Sequence, residues 1–393
     1  MNEVWHRGRK LVHFSGCDYF RLARDARLAA AARKTLAETG LNVSASRLTT
    51  GNRAIYLQLE AALAKFFRAE AALTLSDGYL APLAAAQALA GEFTHAFVDE
   101  QSHSALLDAA RMLDCPVQKF PHRNAVTLKK MLARSGRRAR PIILTDGMFS
   151  YDGAVAPLRE YLKILPRGGM ILVDDAHGAG VLGRTGKGTL EHEKVGRERI
   201  IQCATLSKAF GAFGGVVLSS RALRGKIMAQ SRSLMGATPL PPPLAGAALQ
   251  SLKILSRDFE RRKRLFLNLS WLRGALRAAG WEISETPGPL VRLPDLSETE
   301  AGRLNLLLLA AGIFPPFIRY GTATRGAFRF VISSEHTLVA ASFPRPSSQN
   351  FSRNSAVSSR CFAVSRCRRY FNSSRFCDHR KPLKNSTPAN CVL

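Results

Sequence analysis

Between residues 70 and 220 the chain alternates short apolar runs with longer mixed stretches, and each run closes on polar residues or glycine. Ala71 to Leu75, Ala96 to Asp99, Pro141 to Asp146, Gly169 to Asp174 and Ile200 to Thr205 are four to six residues long. Apolar runs of this length, bounded by turn residues, read as strands buried on both faces of a parallel sheet. Ala-rich and mixed segments between them supply helices, as after Ser76-Asp77-Gly78-Tyr79 and after Glu100-Gln101-Ser102-His103-Ser104. Strands alternating with helices predict an α/β fold. Polar residues at the carboxyl ends of such strands sit where open α/β sheets bind ligands.

Outside this region the pattern predicts helices over 22–39, stopped by Gly40, over Ala54 to Phe67, and over a long stretch from Leu244 to Gly280. Glu298 to Ala311 reads as a helix with Ser297 as N-cap and Gly312 as its stop. Pro289 to Leu293 and Phe328 to Ser333 read as strands, and residues 1–13 as a loose arm. Ser46 to Asn52 is a polar loop whose plainest reading is a cap on the following helix. Pro241-Pro242-Pro243 marks a boundary, because proline continues neither a helix nor a central strand.

The chemistry concentrates in two of the strand ends. Asp174-Asp175-Ala176-His177-Gly178-Ala179-Gly180 follows one strand, and Thr205-Leu206-Ser207-Lys208 closes the next, with glycines at 211, 214 and 215. An Asp that keeps a ring nitrogen protonated, a His that steadies a ring hydroxyl and a Lys that forms a Schiff base make up an electron-sink site. Gly178-Ala-Gly180-Val-Leu-Gly183 also satisfies the dinucleotide pattern G-x-G-x-x-G. That pattern requires glycines closing a turn straight into a helix, whereas here Asp174, Asp175 and His177 intervene and poor helix sequence follows. Gly186-Lys187-Gly188-Thr189 misses the P-loop, with Val181 where its first glycine belongs.

Asp-Asp-Ala-His-Gly-x-Gly followed by Thr-x-x-Lys resembles the α-oxoamine synthases, pyridoxal-phosphate (PLP) enzymes of the fold-type I aminotransferase superfamily. The likeness runs from about Phe14 to Thr337 and is nearest to the 8-amino-7-oxononanoate synthase and glycine C-acetyltransferase members of that group. It implies PLP as cofactor, a large domain with a mostly parallel sheet and a smaller α+β C-terminal domain. It implies an N-terminal arm and helix over 1–46, a PLP-binding domain over 47–235, a small domain over 236–337 and a separate tail over 338–393. Lys208 is then the cofactor lysine and the base for the Cα proton, Asp174 the ring-nitrogen partner and His103 the residue stacked on the ring. His177 and Ser150 fall near the ring hydroxyl, the latter in Thr145-Asp146-Gly147-Met148-Phe149-Ser150-Tyr151-Asp152-Gly153, where the family pattern has Glu and Met in place of Asp146 and Tyr151. Gly78, Tyr79 and Thr205 fall at the cofactor site, the first two beside its phosphate. Thr238 is expected to reach the phosphate in a partner subunit, so the resemblance implies a homodimer. Arg329 is the candidate for the substrate carboxylate, with Arg325 as a substitute from the adjacent loop. Cys17 stands where the family carries a substrate-facing Asn. The implied reaction condenses an amino acid with an acyl thioester, on CoA or on a carrier protein, and releases carbon dioxide. A class I/II aminotransferase would share Lys208 and Asp174, whereas Ser102-His103 and the Asp-Asp-Ala-His-Gly run favour a synthase.

Composition adds one complication. The chain carries 57 Lys+Arg against 29 Asp+Glu, a net charge of +28 over 393 residues. Such an excess suits a nucleic-acid-binding protein without catalysis, but that reading leaves Asp174, His177 and Lys208 unexplained. The excess is scattered arginine, as in Arg134 to Arg140, and reads as a solvated face. Met1 to Arg27 lacks the apolar stretch of a secretory signal, and no apolar run approaches the ~20 residues of a membrane span. Cys17, Cys115 and Cys203 are isolated, so neither a metal site nor a disulfide framework is expected, and a cytoplasmic location is.

After Thr337 the texture changes. Residues 338–393 hold ten Lys/Arg against Asp378 alone, four of the seven cysteines (361, 367, 377 and 391) and no helical period. A family-type amphipathic helix is absent from the pattern, so the tail reads as disordered, as a shifted reading frame would make it. Losing that helix would weaken both PLP binding and turnover.

Overall fold

The computed structural model describes residues 3–319 and 326–336. Seven strands form the central sheet, in the spatial order Ala71–Leu75, Gly215–Ser219, Ile200–Thr205, Met170–Asp174, Pro141–Asp146, His95–Asp99 and Val117–Phe120. Gly215–Ser219 runs antiparallel to both neighbours, and the other pairings are parallel. The apolar runs are continuous because both faces are covered. Alternate residues along a strand serve different cores. Leu172 packs with the helices Leu80–Ala88, Ser104–Arg111 and Arg221–Gln230, while Ile171 and Val173 pack with Ala125–Arg134 and Leu158–Ile164. At the other end of the sheet Ala72, Ala204 and Val216 belong to a third cluster, with Ala54–Phe67 and Pro242–Leu255.

The predicted long helix from Leu244 to Gly280 is two helices, Pro242–Leu255 and Phe259–Ala278. Asp258 causes the break: its carboxylate accepts from Arg261 N at 3.0 Å and starts the second helix. Pro242 and Pro243 lie inside the first turn of the first helix, where a missing N–H costs no intrahelical bond. Ser297 caps Glu298–Ala310 as expected, in a reciprocal capping box with Glu300.

Residues 1–13 are not a loose arm over their described part. Glu3–His6 and Arg9–His13 form a hairpin, closed by Arg7 at φ 47° and Gly8 at φ 73°. Positive φ at both turn residues is what a two-residue hairpin requires. Ile313–Phe314 adds to the hairpin in parallel, so the amino end is stitched to the carboxyl part of the chain. Leu290–Arg292, Ala327–Val331 and Phe317–Ile318 make a second small antiparallel sheet. The expectation of a disordered tail over 338–393 falls outside the described residues, as does Arg325.

The Ser46–Asn52 loop does not cap its helix. Arg53 holds the cap position without a side-chain bond, and Arg47 instead enters the interior. There Arg47 pairs with Glu60 and donates to Thr74 O at 3.2 Å, while Glu60 also accepts from Thr74 N at 2.8 Å and from Arg224 at 2.8 Å. Other arginines fasten carbonyls: Arg199 holds Leu162, Leu165 and Pro166, and Arg262 holds Arg184 and Thr185. Part of the charge excess is therefore structural, while Arg134, Arg137, Arg138 and Arg140 lie exposed as the solvated-face reading expects.

Candidate active site

The parallel register places Asp146 opposite Asp174 and Asp174 opposite Cys203 at the carboxyl edge of the sheet. A cavity of about 270 Å³ opens there, lined by Asp77, Gly78, Tyr79, His103, Asp146, Ser150, Asp174, Ala176, His177, Thr205, Ser207 and Lys208. It gathers eight residues picked from the sequence: Gly78, Tyr79, His103, Ser150, Asp174, His177, Thr205 and Lys208.

Each arrives by a local device. Asp174 ends its strand, is 8% exposed and accepts from Ala176 N at 3.0 Å, which turns the chain toward His177. Burial raises its carboxyl above the ordinary range, and the Lys208 charge opposes that rise. Lys208 sits on a tight loop after Ile200–Thr205, fixed by Leu206 N to Gly214 O at 2.8 Å and Gly211 N to Lys208 O at 2.9 Å. His103 caps the helix Ser104–Arg111, its Nδ1 accepting from Ala105 N at 3.2 Å, and its ring meets Tyr79 edge-on at 5.9 Å. Buried Asp99 shapes the turn before it, accepting from Gln101 N at 3.0 Å and Arg123 N at 2.8 Å. His177 is pushed well below its ordinary pKa by burial and then by the charges of Lys208, Arg329 and His103, so its ring is neutral.

The two aspartates of the central run have separate duties. Asp175 turns inward and accepts from Thr189 N at 2.9 Å, Thr189 Oγ1 at 2.6 Å and Gln202 Nε2 at 2.5 Å. Burial lifts its pKa to about 6 despite these donors. It presses so closely on the surrounding loops that a Cβ at Gly188, already at φ 89°, would come within 1.9 Å of its Oδ2. Of the glycines that mimic a dinucleotide fingerprint, Gly178 packs against this same carboxylate, Gly180 against Ala209 and Gly183 against Glu191, and no helix starts at Gly178.

Three sequence candidates lie off the cavity wall. Arg329 Nη1 donates to Ser150 O at 2.6 Å, which places it next to the site behind that residue. Cys17 is half-buried beside Tyr19, whose N–H bonds its carbonyl at 2.9 Å. Thr238 is exposed on the loop between Arg232–Met235 and Pro242–Leu255. Conversely, four polar residues belong to the site without having been assigned to it. Asp77 and Ser207 line the wall. Asp146 also lines it and accepts from His103 N at 3.0 Å; burial, then the Asp174 charge, drives its carboxyl well up. Asp146 carries the same signal as Asp174, a carboxylate closing an apolar run. Tyr19, whose hydroxyl meets His177 Nδ1 at 2.8 Å, lies 158 residues away in the Phe14 to Phe20 segment, which resembles the family's entry motif without marking a role for the tyrosine.

The chemistry of these side chains fits PLP. A buried carboxylate, a neutral imidazole and a lysine suit a pyridinium nitrogen, a ring oxygen and an aldehyde in turn. At Gly78 a Cβ would stand 2.7 Å from Thr205 Oγ1, so only glycine leaves room where the chain turns into Leu80–Ala88, whose free N–H groups favour an anion. Among the described residues no cluster of His, Cys, Asp and Glu could hold a metal, and no described helix is long and apolar enough to cross a membrane.

Comparison with known proteins agrees with the geometry. Residues 10–340 match the model of the aminotransferase class I and II family. The 8-amino-7-oxononanoate synthase of Thioalkalivibrio sulfidiphilus is 36% identical over 334 residues, 84% of this chain and 85% of that protein. The serine palmitoyltransferase of Sphingomonas wittichii superposes with a TM-score of 0.80 at 28% identity over 86% of each chain. The 8-amino-7-oxononanoate synthase of Francisella tularensis does so with a TM-score of 0.73 at 26% identity, covering 83% of this chain and 93% of that one. The chain belongs to the aminotransferase class I and II family and, within it, to the α-oxoamine synthases, PLP-dependent acyltransferases of fold type I.

Proposed function

We propose that this chain joins an amino acid to an acyl thioester, with loss of carbon dioxide and free thiol, to give an α-aminoketone, and that it does so as an 8-amino-7-oxononanoate synthase in biotin biosynthesis. The observation that carries the reading is the convergence of Asp174, His177, His103 and Lys208 on one cavity from neighbouring strand ends. The identity to the Thioalkalivibrio enzyme favours that member over a serine palmitoyltransferase.

PLP, when bound, supplies a conjugated cation that accepts the electron pair left at Cα. Asp174 holds the ring nitrogen and keeps its proton, an ion pair that offsets the cost of burying the carboxylate. His177 and Ser150 would hold the ring oxygen, and His103 would pack on the ring. Gly78, Tyr79 and Thr205 hold the phosphate at the start of Leu80–Ala88. Lys208 would anchor the cofactor, and its amine would be the base that takes the Cα proton and the acid that returns one to the product. The electron pair at Cα forms a bond to the thioester carbonyl, the thiolate leaves, and the carboxylate departs as carbon dioxide. Arg329 binds the amino-acid carboxylate from its place behind Ser150, and Cys17 borders the same end.

Thr238, exposed in one chain, reaches the phosphate of a second copy, so the working unit is a homodimer in the cytoplasm. Residues 47–235 form the cofactor domain and 236–337 the smaller domain, joined to the arm and helix of 1–46.

The test is stoichiometry. With PLP, alanine labelled in its carboxyl group and a series of acyl-CoA thioesters, labelled carbon dioxide and free thiol should appear together in equal amounts. Transfer of the amino group to a keto acid without thiol release would indicate an aminotransferase instead.

A further inference from the structure

We propose that Tyr19 is a positioning residue that fixes the tautomer of His177, donating its hydroxyl hydrogen to Nδ1 so that Nε2–H is the nitrogen presented to the cavity.

The contact is built rather than incidental. Tyr19 is fully buried and His177 nearly so, and their polar atoms meet at 2.8 Å. The rings cross at 69° with centroids 6.3 Å apart, an edge-on packing that holds the pair in place. The main chain of Tyr19 is held on both sides, its N–H bonding Cys17 O at 2.9 Å and its carbonyl accepting from Ser334 N at 2.8 Å. Ser334 follows the strand Ala327–Val331, so the small antiparallel sheet also anchors this tyrosine.

The direction of the bond follows from acidity. Lys208, Arg329 and His103 face His177 and, with burial, keep its ring neutral, so one nitrogen carries a hydrogen and the other a lone pair. A phenol is the stronger donor of the two groups, and an imidazole lone pair is a better acceptor than a phenol oxygen. The bond is best made with Tyr19 donating, which leaves the only ring hydrogen on Nε2. That nitrogen is the remaining polar atom of a side chain on the cavity wall. The consequence for the cofactor rests on the proposed function: an anionic ring oxygen then meets a fixed donor instead of a lone pair.

The tautomer can be read without any cofactor. In the full chain labelled with ¹⁵N-histidine, His177 is assigned by the signal lost in His177→Gln, and its couplings report which nitrogen bears hydrogen. Wild type is expected to show the Nε2–H form. Tyr19→Phe keeps the ring and the packing but is expected to shift the signal toward a mixture of both forms. In the PLP-bound proteins the pH midpoint of the cofactor absorbance is expected to rise by about one unit in Tyr19→Phe, as its oxygen loses a dependable donor. A wild-type His177 protonated on Nδ1 would overturn the inference, and that measurement needs no variant. So would a Tyr19→Phe protein whose tautomer matches wild type. Failure of the chain to bind PLP would count against the proposed function, while the ¹⁵N signals would still decide the role of Tyr19.

Discussion

Asp174 and Asp175 are adjacent and chemically identical, yet one faces the cavity and the other a shell of donors from Thr189 and Gln202. A carboxylate built for a cationic partner is a liability without it, because burial lifts its pKa. Asp174→Asn should therefore raise the stability of the PLP-free chain while lowering turnover by roughly 10²-fold or more. Thermal unfolding without PLP and the thiol-release assay with it check the two halves, and loss of both stability and activity would contradict the division of roles. The pair was legible in the sequence as a site marker, and the family resemblance picked Asp174, the aspartate on the cavity wall. The duty of Asp175 was not legible, because it depends on Thr189 and Gln202, each folded back from a later segment.

At the scale of elements, the strands could be read because an apolar run of five residues between polar turns has few other uses. The break at Asp258 was missed because Phe259 and the residues after it continue a helical composition, and one capping carboxylate decided the matter. Arg47 was missed for a similar reason: a polar loop does not announce which side chain will be buried. Glu60 faces Arg47 and Arg224, with the side chain of Arg47 only 1% exposed. Glu60→Ala leaves that guanidinium buried without its counter-ion and should cost about 3–5 kcal/mol, visible as a fall in the urea midpoint.

His336 ties the segment after Ala327–Val331 to His13 and Phe14 in a pH-dependent way. It stacks on Phe14 at 4.5 Å, accepts from Ser333 N at 2.9 Å and meets His13 O at 3.1 Å. Burial pushes its pKa down from 6.5 to about 3. Below pH 6.5 the unfolded chain takes up a proton that the folded chain refuses, so this residue's share of stability is present above 6.5 and is lost as the pH falls toward 3. Asp175, with its pKa raised to about 6, works in the opposite sense and is common to both proteins in the comparison. Between pH 7 and 5 the stability of wild type relative to His336→Gln should shift against wild type by about 2 kcal/mol. An unchanged difference across that interval would show that His336 titrates normally in the folded chain.

For the whole molecule, the amino end proves integral rather than loose. The hairpin Glu3–His6/Arg9–His13 pairs with Ile313–Phe314, and Tyr19 reaches His177, so the amino-terminal segment is tied both to a late strand and to the site. No local pattern could reveal contacts across such spans. Thr238 lies exposed and off the cavity wall of its own chain. If it serves a second copy, Thr238→Ala should weaken PLP binding roughly 10- to 100-fold, the loss of one hydrogen bond to a charged group, without altering the unfolding midpoint of the PLP-free protein. A dilution series should show activity falling with dimer concentration, and full activity in a monomer would contradict the shared site.

The central claim is that Lys208 carries the cofactor and the proton chemistry in the cavity floored by Asp174 and Asp146. The most direct measurement is borohydride reduction of the PLP-treated full chain, followed by peptide mass mapping, for wild type and Lys208→Ala. The account predicts one cofactor label, on Lys208, which disappears in Lys208→Ala together with thiol release from acyl-CoA. A label on any other lysine, or undiminished turnover in Lys208→Ala, would contradict it.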